Sequence, residues 1–313
     1  MIDNPMDVLR DFPIRKTKKQ KQVFQDAIQS YLSVIGYDVT IEKGKYGAQN
    51  IIFGDPDSAA YLVTAHYDTP AALPIPNLIT PCSFLPFLGY QIVLTVLIFL
   101  IALIPGLIFV SLGMRAEAAS RIWLLSLYVI LALMLVGPGN KNNANDNTSG
   151  VVTLLEIYER LTEQQRAQAA FVFFDNEEIG LLGSSQFKKK HEKEMENKLL
   201  INFDCVADGD HFLLAITKDG EKRYGDLIKE VFCTTEDKEF TFGKADRIFY
   251  PSDHIGFPNA VAVAAFHKKK FIGHYIGRIH TGRDTVFDER NIELLTAYCA
   301  EYLEKTNENI PVA

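Results

Sequence analysis

Two long stretches without a charged residue constrain the fold of this 313-residue chain more than any other feature. Residues 84–113 read FLPFLGYQIVLTVLIFLIALIPGLIFVSLG, and residues 122–139 read IWLLSLYVILALMLVGPG. A short polar turn, MRAEAASR at 114–121, separates them. A helix that crosses a bilayer needs about 20 apolar residues. The first stretch exceeds that length even with a proline at 105, and the second is close to the lower limit. We therefore expect a hairpin of two transmembrane helices over residues 84–138.

A buried pair of helices, or a dimerisation lid on a soluble protein, is the alternative to this hairpin. It would require the whole of the first uncharged stretch to be covered by protein, which is difficult in a chain of this length. The sequence therefore favours the lipid bilayer as the partner of residues 84–138. Residues 1–83 and 139–313 are then expected to form one domain into which the hairpin is inserted.

Helix and strand patterns alternate in the rest of the chain. Helical spacing of apolar residues predicts helices, the first of which reaches Ile35 and ends at Gly36. Continuous apolar runs predict strands that are buried on both faces. This alternation predicts an α/β fold, a three-layer α/β/α sandwich with a mostly parallel central sheet. The predicted helices are 18–35, 150–161 and 289–305, and the predicted strands are 49–53, 60–65, 170–174, 199–203 and 212–217.

Composition excludes several classes of protein. Hydrophobic residues make up 48% of the chain, which is too many for a disordered protein. The net charge of −7 argues against a nucleic-acid partner, because a surface that binds phosphates is normally basic. The four cysteines form no CxxC pair, so we expect free thiols. The polar N-terminus, MIDNPMDVLRDFPIRKTKKQKQ, predicts no cleavable signal peptide.

Several predicted strands end in a side chain that is able to bind a metal ion. Ligands of open α/β sheets bind at the carboxyl ends of the strands, so side chains from different strands are expected to converge on one rim. Taken singly, an HxD pair is more often structural, an Asp before a helix is more often an N-cap, and two adjacent glutamates are more often a solvated turn. Because all of these features occur together along one chain, they favour a metal-binding site. The residues are His66, Asp68, Asp146, Glu177, Glu178, Asp204 and His280, with Thr148 and Ser149 as candidate helix caps.

Two imidazoles and three carboxylates suit two Zn²⁺ ions that share one bridging carboxylate. A further carboxylate must stay off the metal to act as a general base. Glu177 and Glu178 can divide these roles, because adjacent side chains diverge. Asp68 is placed to accept the second N–H of His66, as an acceptor usually does for a metal-bound histidine.

Six motifs resemble, in the same order, those of the M28 family of zinc peptidases. The resemblance extends over roughly residues 20–306 and is interrupted only by the apolar insertion. That insertion accounts for the unusually long separation of His66 and Asp146. Gly282 stands where the family often has proline. The motifs are AHYDT (65–69), NDNTSG (145–150), FFDNEEIGLLGS (173–184), NFDCV (202–206), SDHIGF (252–257) and IHTGRDT (279–285).

The resemblance implies a role for each residue of the rim. His66 and Asp204 would hold one zinc, Glu178 and His280 the other, and Asp146 would bridge the two. Glu177 would be the general base, and Asp68 would orient His66. The SDHIGF motif is similar to a family loop near the substrate pocket, so Ser252, Asp253 and His254 are candidates to line it.

These roles imply a membrane-anchored di-zinc exopeptidase with two Zn²⁺ per chain. An aminopeptidase would act on peptides with a free N-terminus, through a metal-bridged water that Glu177 deprotonates. A glutaminyl-cyclase-like acyltransferase, which works with one zinc, and a non-catalytic receptor on the same fold are the alternatives. All five expected ligands and Glu177 are present, which favours hydrolysis. Cobalt and manganese suit similar ligands, so the native metal stays open.

Two spans would return the chain to its starting side, so both parts of the catalytic domain are expected on one face of the cell membrane. The residues before the hairpin contain no signal to carry them across, which favours the cytoplasmic face. Arg115 and Arg121 in the turn, against Lys141 on the domain side, point weakly the other way. We expect the cytoplasmic face.

Overall fold

A nine-stranded sheet runs through the computed structural model, which describes residues 2–34, 36 and 38–308. The first predicted helix ends as expected, since Gly36 has φ +87°, although Ile35 lies outside the described residues. The strands are β1 Val39–Lys43, β2 Gln49–Phe53, β3 Tyr61–His66, β4 Ala169–Phe174, β5 Leu199–Phe203, β6 His211–Ile216, β7 Glu239–Lys244, β8 Ala260–Lys269 and β9 Gly273–Tyr275. The helices are α1 Asp7–Asp11, α2 Lys18–Val34, α3 Phe84–Ser111, α4 Ala116–Val136, α5 Ser149–Arg160, α6 Glu163–Arg166, α7 Leu182–Lys190, α8 Lys218–Val231 and α9 Glu289–Glu308.

The sheet has a parallel centre, and the strands that flank it, β2 on one side and β6 on the other, run antiparallel to it. Its strand order is β1-β2-β4-β3-β5-β8-β6-β7, and β9 pairs with β8. β3 pairs in parallel with both β4 and β5, and β5 pairs in parallel with β8. The carboxyl ends of β3, β4 and β5 therefore lie side by side at one edge of the sheet. β1 and β2 form an antiparallel margin on one side, and β6 runs antiparallel to β8 on the other.

Helices and loops cover both faces of this sheet, which confirms the α/β sandwich. One face packs against α2, α5, α8 and α9, and this core contains Phe24, Phe171 and Leu295. The opposite face packs against α7 and nearby loops through Phe187, Met195 and Phe257. Because β3, β4 and β5 are buried on both faces, their ends are fixed in position and can hold side chains at defined separations.

The two uncharged stretches form most of the antiparallel helices α3 and α4, and α4 begins at Ala116, within the segment predicted as the polar turn. Both are long and apolar enough to cross a membrane, by length and composition. They pack closely on each other, since a Cβ at Gly106 would lie 2.9 Å from the carbonyl oxygen of Ala119. Of all their residues only Ala102, Gly106 and Ala119 are buried. The hairpin therefore presents its apolar side chains outward and is not part of the protein core.

Eight of the described helices and strands were not predicted from the sequence, and these are α1, α6, α7, α8, β1, β7, β8 and β9. Most of them are short or carry mixed patterns, but β8 contains the continuous apolar run AVAVAAF at 260–266. The elements that were predicted agree with the structure to within a few residues. All four cysteines are free, as expected.

Candidate metal centre

The strand ends at the parallel centre of the sheet bring the predicted residues together. His66 is the last residue of β3, and Asp204 directly follows β5. Glu177 and Glu178 lie in the loop between β4 and α7. His280 lies in the loop that follows β9. Residues that are far apart in the sequence thus meet at one rim, which is the arrangement that the strand-end pattern predicted.

Asp146 lies between two histidines and directs one carboxylate oxygen to each. Its Oδ1 is 3.4 Å from His66 Nε2, and its Oδ2 is 3.1 Å from His280 Nε2. Asp204 Oδ1 is 3.6 Å from the same nitrogen of His66, and Glu178 Oε2 is 3.4 Å from that of His280. Two groups of three residues therefore share Asp146, with the ligand atoms of each group within 4.8 Å of one another.

Asp68 supports the centre differently from the expectation. Its backbone carbonyl oxygen is 3.2 Å from His66 Nδ1, and its carboxylate is farther from that nitrogen, at 3.6 Å. The carboxylate accepts hydrogen bonds from the backbone N–H groups of Glu177 (3.0 Å) and Glu178 (3.3 Å). Asp68 thus contacts His66 mainly through its backbone and fixes the loop of the two glutamates through its side chain.

A chain of hydrogen bonds holds Asp204 in place. Ser252 Oγ donates to Asp204 Oδ2 at 2.6 Å, and Asn202 Nδ2 donates to Ser252 Oγ at 2.8 Å. Thr64 Oγ1, on β3, donates to Asn202 Oδ1 at 2.8 Å. Tyr250 OH donates to the backbone carbonyl of Asp204 at 3.0 Å. Ser252 therefore lies behind Asp204 and orients it.

Asp146 is held by residues that the sequence analysis did not single out. Asp284 accepts the backbone N–H groups of Asn145 (2.9 Å) and Asp146 (3.1 Å). The predicted helix caps were wrong: neither Thr148 nor Ser149 caps α5. Instead, Asn147 Oδ1 accepts the N–H of Gly150 at 2.9 Å. Thr148 Oγ1 donates to Asn143, and Ser149 Oγ donates to the carbonyl of Asn145, so both hydroxyls pin the loop that carries Asp146.

The backbone is strained where these loops leave the strands. Asn176, Cys205 and His280 all have positive φ angles, of 58°, 56° and 63°. Each is one of the candidate ligands or is within two residues of one. Non-glycine residues adopt this region rarely, and such strain is concentrated at functional sites.

Burial shapes the electrostatics of the rim. Burial raises the pKa of Glu177 and of Glu178, and neighbouring carboxylates raise both further. Burial also acts to raise the pKa of Asp146, but hydrogen bonds from His280 and His66 outweigh it and hold that pKa below its usual range. For Asp284, burial and the nearby Asp146 raise the pKa to about 8. So many buried acids in one place favour the binding of a cation.

Asp253 and His254 are buried beside the centre. Burial raises the pKa of Asp253 to about 7 and lowers that of His254 to about 4. Neither oxygen of Asp253 has a hydrogen-bond partner among the described residues. Neither residue is among those that line the cavity above the candidate ligands. Their predicted place near the substrate pocket stays a prediction.

Two buried bases were missed by the sequence analysis. Lys21, on α2, donates hydrogen bonds to Asp175 and Asn176, directly before the two glutamates. Arg15 is fully buried and donates to the carbonyl of Tyr67 and the hydroxyl of Thr148. Both lie in a run of basic residues whose ordinary interpretation is a solvated segment, so no local signal could have identified them.

The rim opens into a cavity of about 380 Å³. The candidate ligands and Glu177 form its floor. Ile79, Leu181 and Ile279 contribute apolar walls, and Asn77 adds a polar one. Ile79 belongs to the connector between β3 and α3, so the segment that leads into the hairpin also shapes the cavity.

The donor set at the rim fits zinc. Imidazole nitrogens and carboxylate oxygens are its usual ligands besides thiolate. Glu178 Oε1 is buried and has no hydrogen-bond partner among the described residues, as expected of a carboxylate arranged for a cation. Glu177 offers an oxygen within 4.8 Å of the ligand atoms of His66 and Glu178.

Solved structures of three bacterial proteins resemble this fold. The aminopeptidase LapA of Legionella pneumophila matches with a TM-score of 0.58 at 12% identity, over 97% of this chain and 71% of that one. A Zn-dependent exopeptidase of Parabacteroides distasonis matches with 0.58 at 15%, over 96% and 97%. The glutaminyl cyclase of Porphyromonas gingivalis matches with 0.57 at 18%, over 97% and 98%. At these identities the likeness establishes the fold.

The sequence itself matches the model of peptidase family M28 over residues 131–302, which is more than half of the chain. That range includes Asp146, Glu177, Glu178, Asp204 and His280, whereas His66 lies before it. The position of His66 within the centre therefore rests on the geometry. The chain belongs to peptidase family M28 and has the zinc-exopeptidase fold.

Proposed function

We propose that this protein is a membrane-anchored di-zinc exopeptidase, and specifically an aminopeptidase. One observation carries the proposal: the two carboxylate oxygens of Asp146 point to two separate pairs of a histidine and an acid. A carboxylate in this position is suited to bridge two cations.

The proposal assigns each candidate ligand to one of two zinc ions. His66 and Asp204 would hold the first, Glu178 and His280 would hold the second, and Asp146 would contact both. Zinc supplies Lewis acidity, which lowers the pKa of a water molecule and polarises a carbonyl group. Asp68, Ser252 and Asp284 act on the ligands rather than on the substrate, through the hydrogen bonds described above.

Glu177 is the general base in this mechanism. Its carboxylate is at the floor of the cavity, and its backbone N–H is fixed by Asp68. It takes a proton from the attacking water and delivers it to the nitrogen of the departing amine. Because that nitrogen leaves as an amine, the same carboxylate returns to its ionised form at the end of the cycle.

The cavity favours a small part of a chain over a long segment. About 380 Å³ accommodates one or two residues, which suits the removal of a terminal residue. Ile79, Leu181 and Ile279 favour an apolar side chain at that position. By analogy with the aminopeptidase whose fold is similar, the proposed substrate is a peptide with a free N-terminus.

The hairpin is the proposed membrane anchor. The inserted domain, residues 84–138, exposes apolar side chains along both helices, and water is a poor solvent for such a surface. Both parts of the catalytic domain, residues 1–83 and 139–313, lie at the same end of the hairpin. We place this domain on the cytoplasmic face of the cell membrane.

The test is hydrolysis of a panel of aminoacyl substrates with free N-termini, with and without chelator and with zinc added back. We expect chelator-sensitive release of the N-terminal residue. Glu177→Gln is expected to lower kcat by about 10²–10⁴-fold while zinc stays bound. Glu192→Gln, an exposed glutamate on the same chain, is the matched control and should keep full activity.

Two results would contradict the proposal. Full activity of the Glu177→Gln variant would remove the general base from the mechanism. Cyclisation of an N-terminal glutamine by a chain that holds one zinc, without release of any residue, would assign the protein to the glutaminyl-cyclase-like alternative.

A further inference from the structure

A second cavity, of about 560 Å³, lies where the hairpin joins the catalytic domain. One side of its wall is apolar and the other side is polar. Leu135 and Val136, at the end of α4, give it an apolar side, together with Ile14 and Ile179. Lys16, Thr17 and Gln20 give it a polar side, and Asp68 and Asn176 also reach it. An amphipathic cavity at this level is suited to a ligand with a polar head and an apolar body.

A basic segment forms the polar side of this cavity. Residues 14–22 read IRKTKKQKQ and contain five basic residues in a chain whose net charge is −7. Lys16 Nζ donates to the carbonyl oxygen of Leu135 at 2.9 Å, which ties the segment to the end of α4. Lys18 and Lys19 are exposed in the first turn of α2, and that turn contains no acidic residue. A helix N-terminus that carries only positive side chains is favourable for an anion.

The acidic side chains near this cavity already interact with a basic side chain or accept hydrogen bonds from the backbone. Asp175 is paired with Lys21. Asp68 accepts two backbone N–H groups and interacts with the buried guanidinium of Arg15. Among the residues that line the cavity, Lys16 carries a charge that no carboxylate pairs with. Lys18 and Lys19 do not line the cavity, but they are exposed in the turn of α2 that contributes Thr17 and Gln20 to its wall, so they add positive charge beside the opening.

We propose that this cavity binds an anionic phospholipid, with its phosphate at Lys16, Lys18 and Lys19 and its acyl chains along α4. The proposal rests on the proposed membrane anchoring of the hairpin. The apolar side of the cavity is continuous with the outer surface of α4, where Leu135 and Val136 are 55% and 72% exposed. A soluble anion would leave this apolar side uncovered, whereas a lipid covers both sides.

A bound anionic lipid would also indicate on which side of the membrane the domain lies. Anionic lipids are concentrated in the cytoplasmic leaflet, and they attract basic segments beside a membrane helix. In the sequence, Lys141 is the only basic residue close to the hairpin on the domain side, whereas the turn between the two helices contains Arg115 and Arg121. Folding brings Lys16 to the end of α4, with Lys18 and Lys19 close to it in sequence, and this added positive charge favours the cytoplasmic face. The lipid would touch Asn176 and Ile179, which flank Glu177 and Glu178.

The test uses the purified full chain in a neutral detergent, mixed with equal amounts of phosphatidylglycerol and phosphatidylcholine. Native mass spectrometry then measures the lipid that stays bound. We expect phosphatidylglycerol to be retained about tenfold more than phosphatidylcholine, and the preference to fall with added salt. The K16Q/K18Q/K19Q variant should retain the two lipids equally. The matched control K188Q/K189Q/K193Q, which changes three lysines on and after α7, should keep the preference.

Equal retention of the two lipids by the unmodified chain would overturn the proposal, as would a control variant that loses the preference to the same extent. The first of these results is measured on the unmodified chain and so does not depend on how any variant folds. Membrane anchoring is tested separately, by extraction of membranes with alkaline carbonate. A chain that stays in the membrane and shows no lipid preference contradicts only the lipid site, and a chain that is released contradicts the anchoring.

Discussion

The domain built on the central sheet and the hairpin of α3 and α4 contain the same apolar residue types but differ in how far these are exposed. In the domain, Phe171 is 0% exposed and stacks on Phe53 with ring centroids 5.0 Å apart. In the hairpin, Phe99 is 45% exposed and touches only Trp123 among the described aromatic residues. The domain thus folds by removing apolar surface from water, and the hairpin is suited to an apolar solvent.

The exposed fraction of a side chain does not show whether that side chain faces water or lipid. Val23 on α2 and Val129 on α4 are similarly exposed, at 52% and 48%. Val23 directly follows a run of lysines and glutamines, whereas Val129 is one of an unbroken series of apolar residues. The difference between the two regions lies in the neighbours and can be tested by making the same substitution in each.

The largest expected difference concerns the two phenylalanines. Phe171→Ala should lower the unfolding free energy of the domain by about 3–5 kcal/mol, because it leaves a cavity in a closely packed core. Phe99→Ala should change it by less than about 0.5 kcal/mol. Denaturant unfolding of both variants in the same detergent measures the contrast. Similar losses for both would mean that the hairpin is part of the folded core.

The next contrast introduces a charge at the two exposed valines. Val129→Arg should disfavour membrane insertion by about 2.5–3.5 kcal/mol, because the position is near the middle of α4. Val23→Arg should change stability by less than about 0.5 kcal/mol. The fraction of chain that resists carbonate extraction reports the difference. If Val129→Arg is retained in the membrane as well as Val23→Arg, the bilayer is not the solvent of α4.

The smallest contrast concerns two serines with different hydrogen-bond partners. Ser252→Ala removes the donor to Asp204, and we expect zinc affinity to fall by about 10–100-fold, as is usual for a partner of a metal ligand. Ser126→Ala removes only a bond to the carbonyl of Ile122 within α4 and should leave zinc affinity unchanged. Competition with a chromogenic chelator measures both. Unchanged affinity in Ser252→Ala would show that the hydrogen bond does not orient the ligand.

The centre of the fold could be predicted from the sequence because its signals are local. β3, β4 and β5 consist mostly of apolar residues, and each leads into an ionisable residue. Since the carboxyl ends of parallel strands share an edge, these residues had to be close together. The two apolar helices were equally clear, because length and absence of charge suffice to predict them.

The remainder depends on contacts between distant parts of the chain. The sequence pattern around Arg15 and Lys21 is typical of solvated basic residues. In the structure both residues are buried. Asn147 caps α5 in place of the two residues after it, because those hydroxyls bond to the loop instead. Likewise, Lys16 meets the end of α4 although the two are far apart in sequence. Hydrogen bonds of this kind leave no periodicity in the sequence.

The central claim is that Asp146 is shared by two metal ions. The most direct measurement is the zinc content per chain of purified protein, by elemental analysis, together with the content of an Asp146→Asn variant. We predict two zinc ions per chain in the unmodified protein and fewer in the variant, with loss of chelator-sensitive activity. A fully active chain that holds a single zinc ion, or a variant that keeps both ions and full activity, would contradict the account.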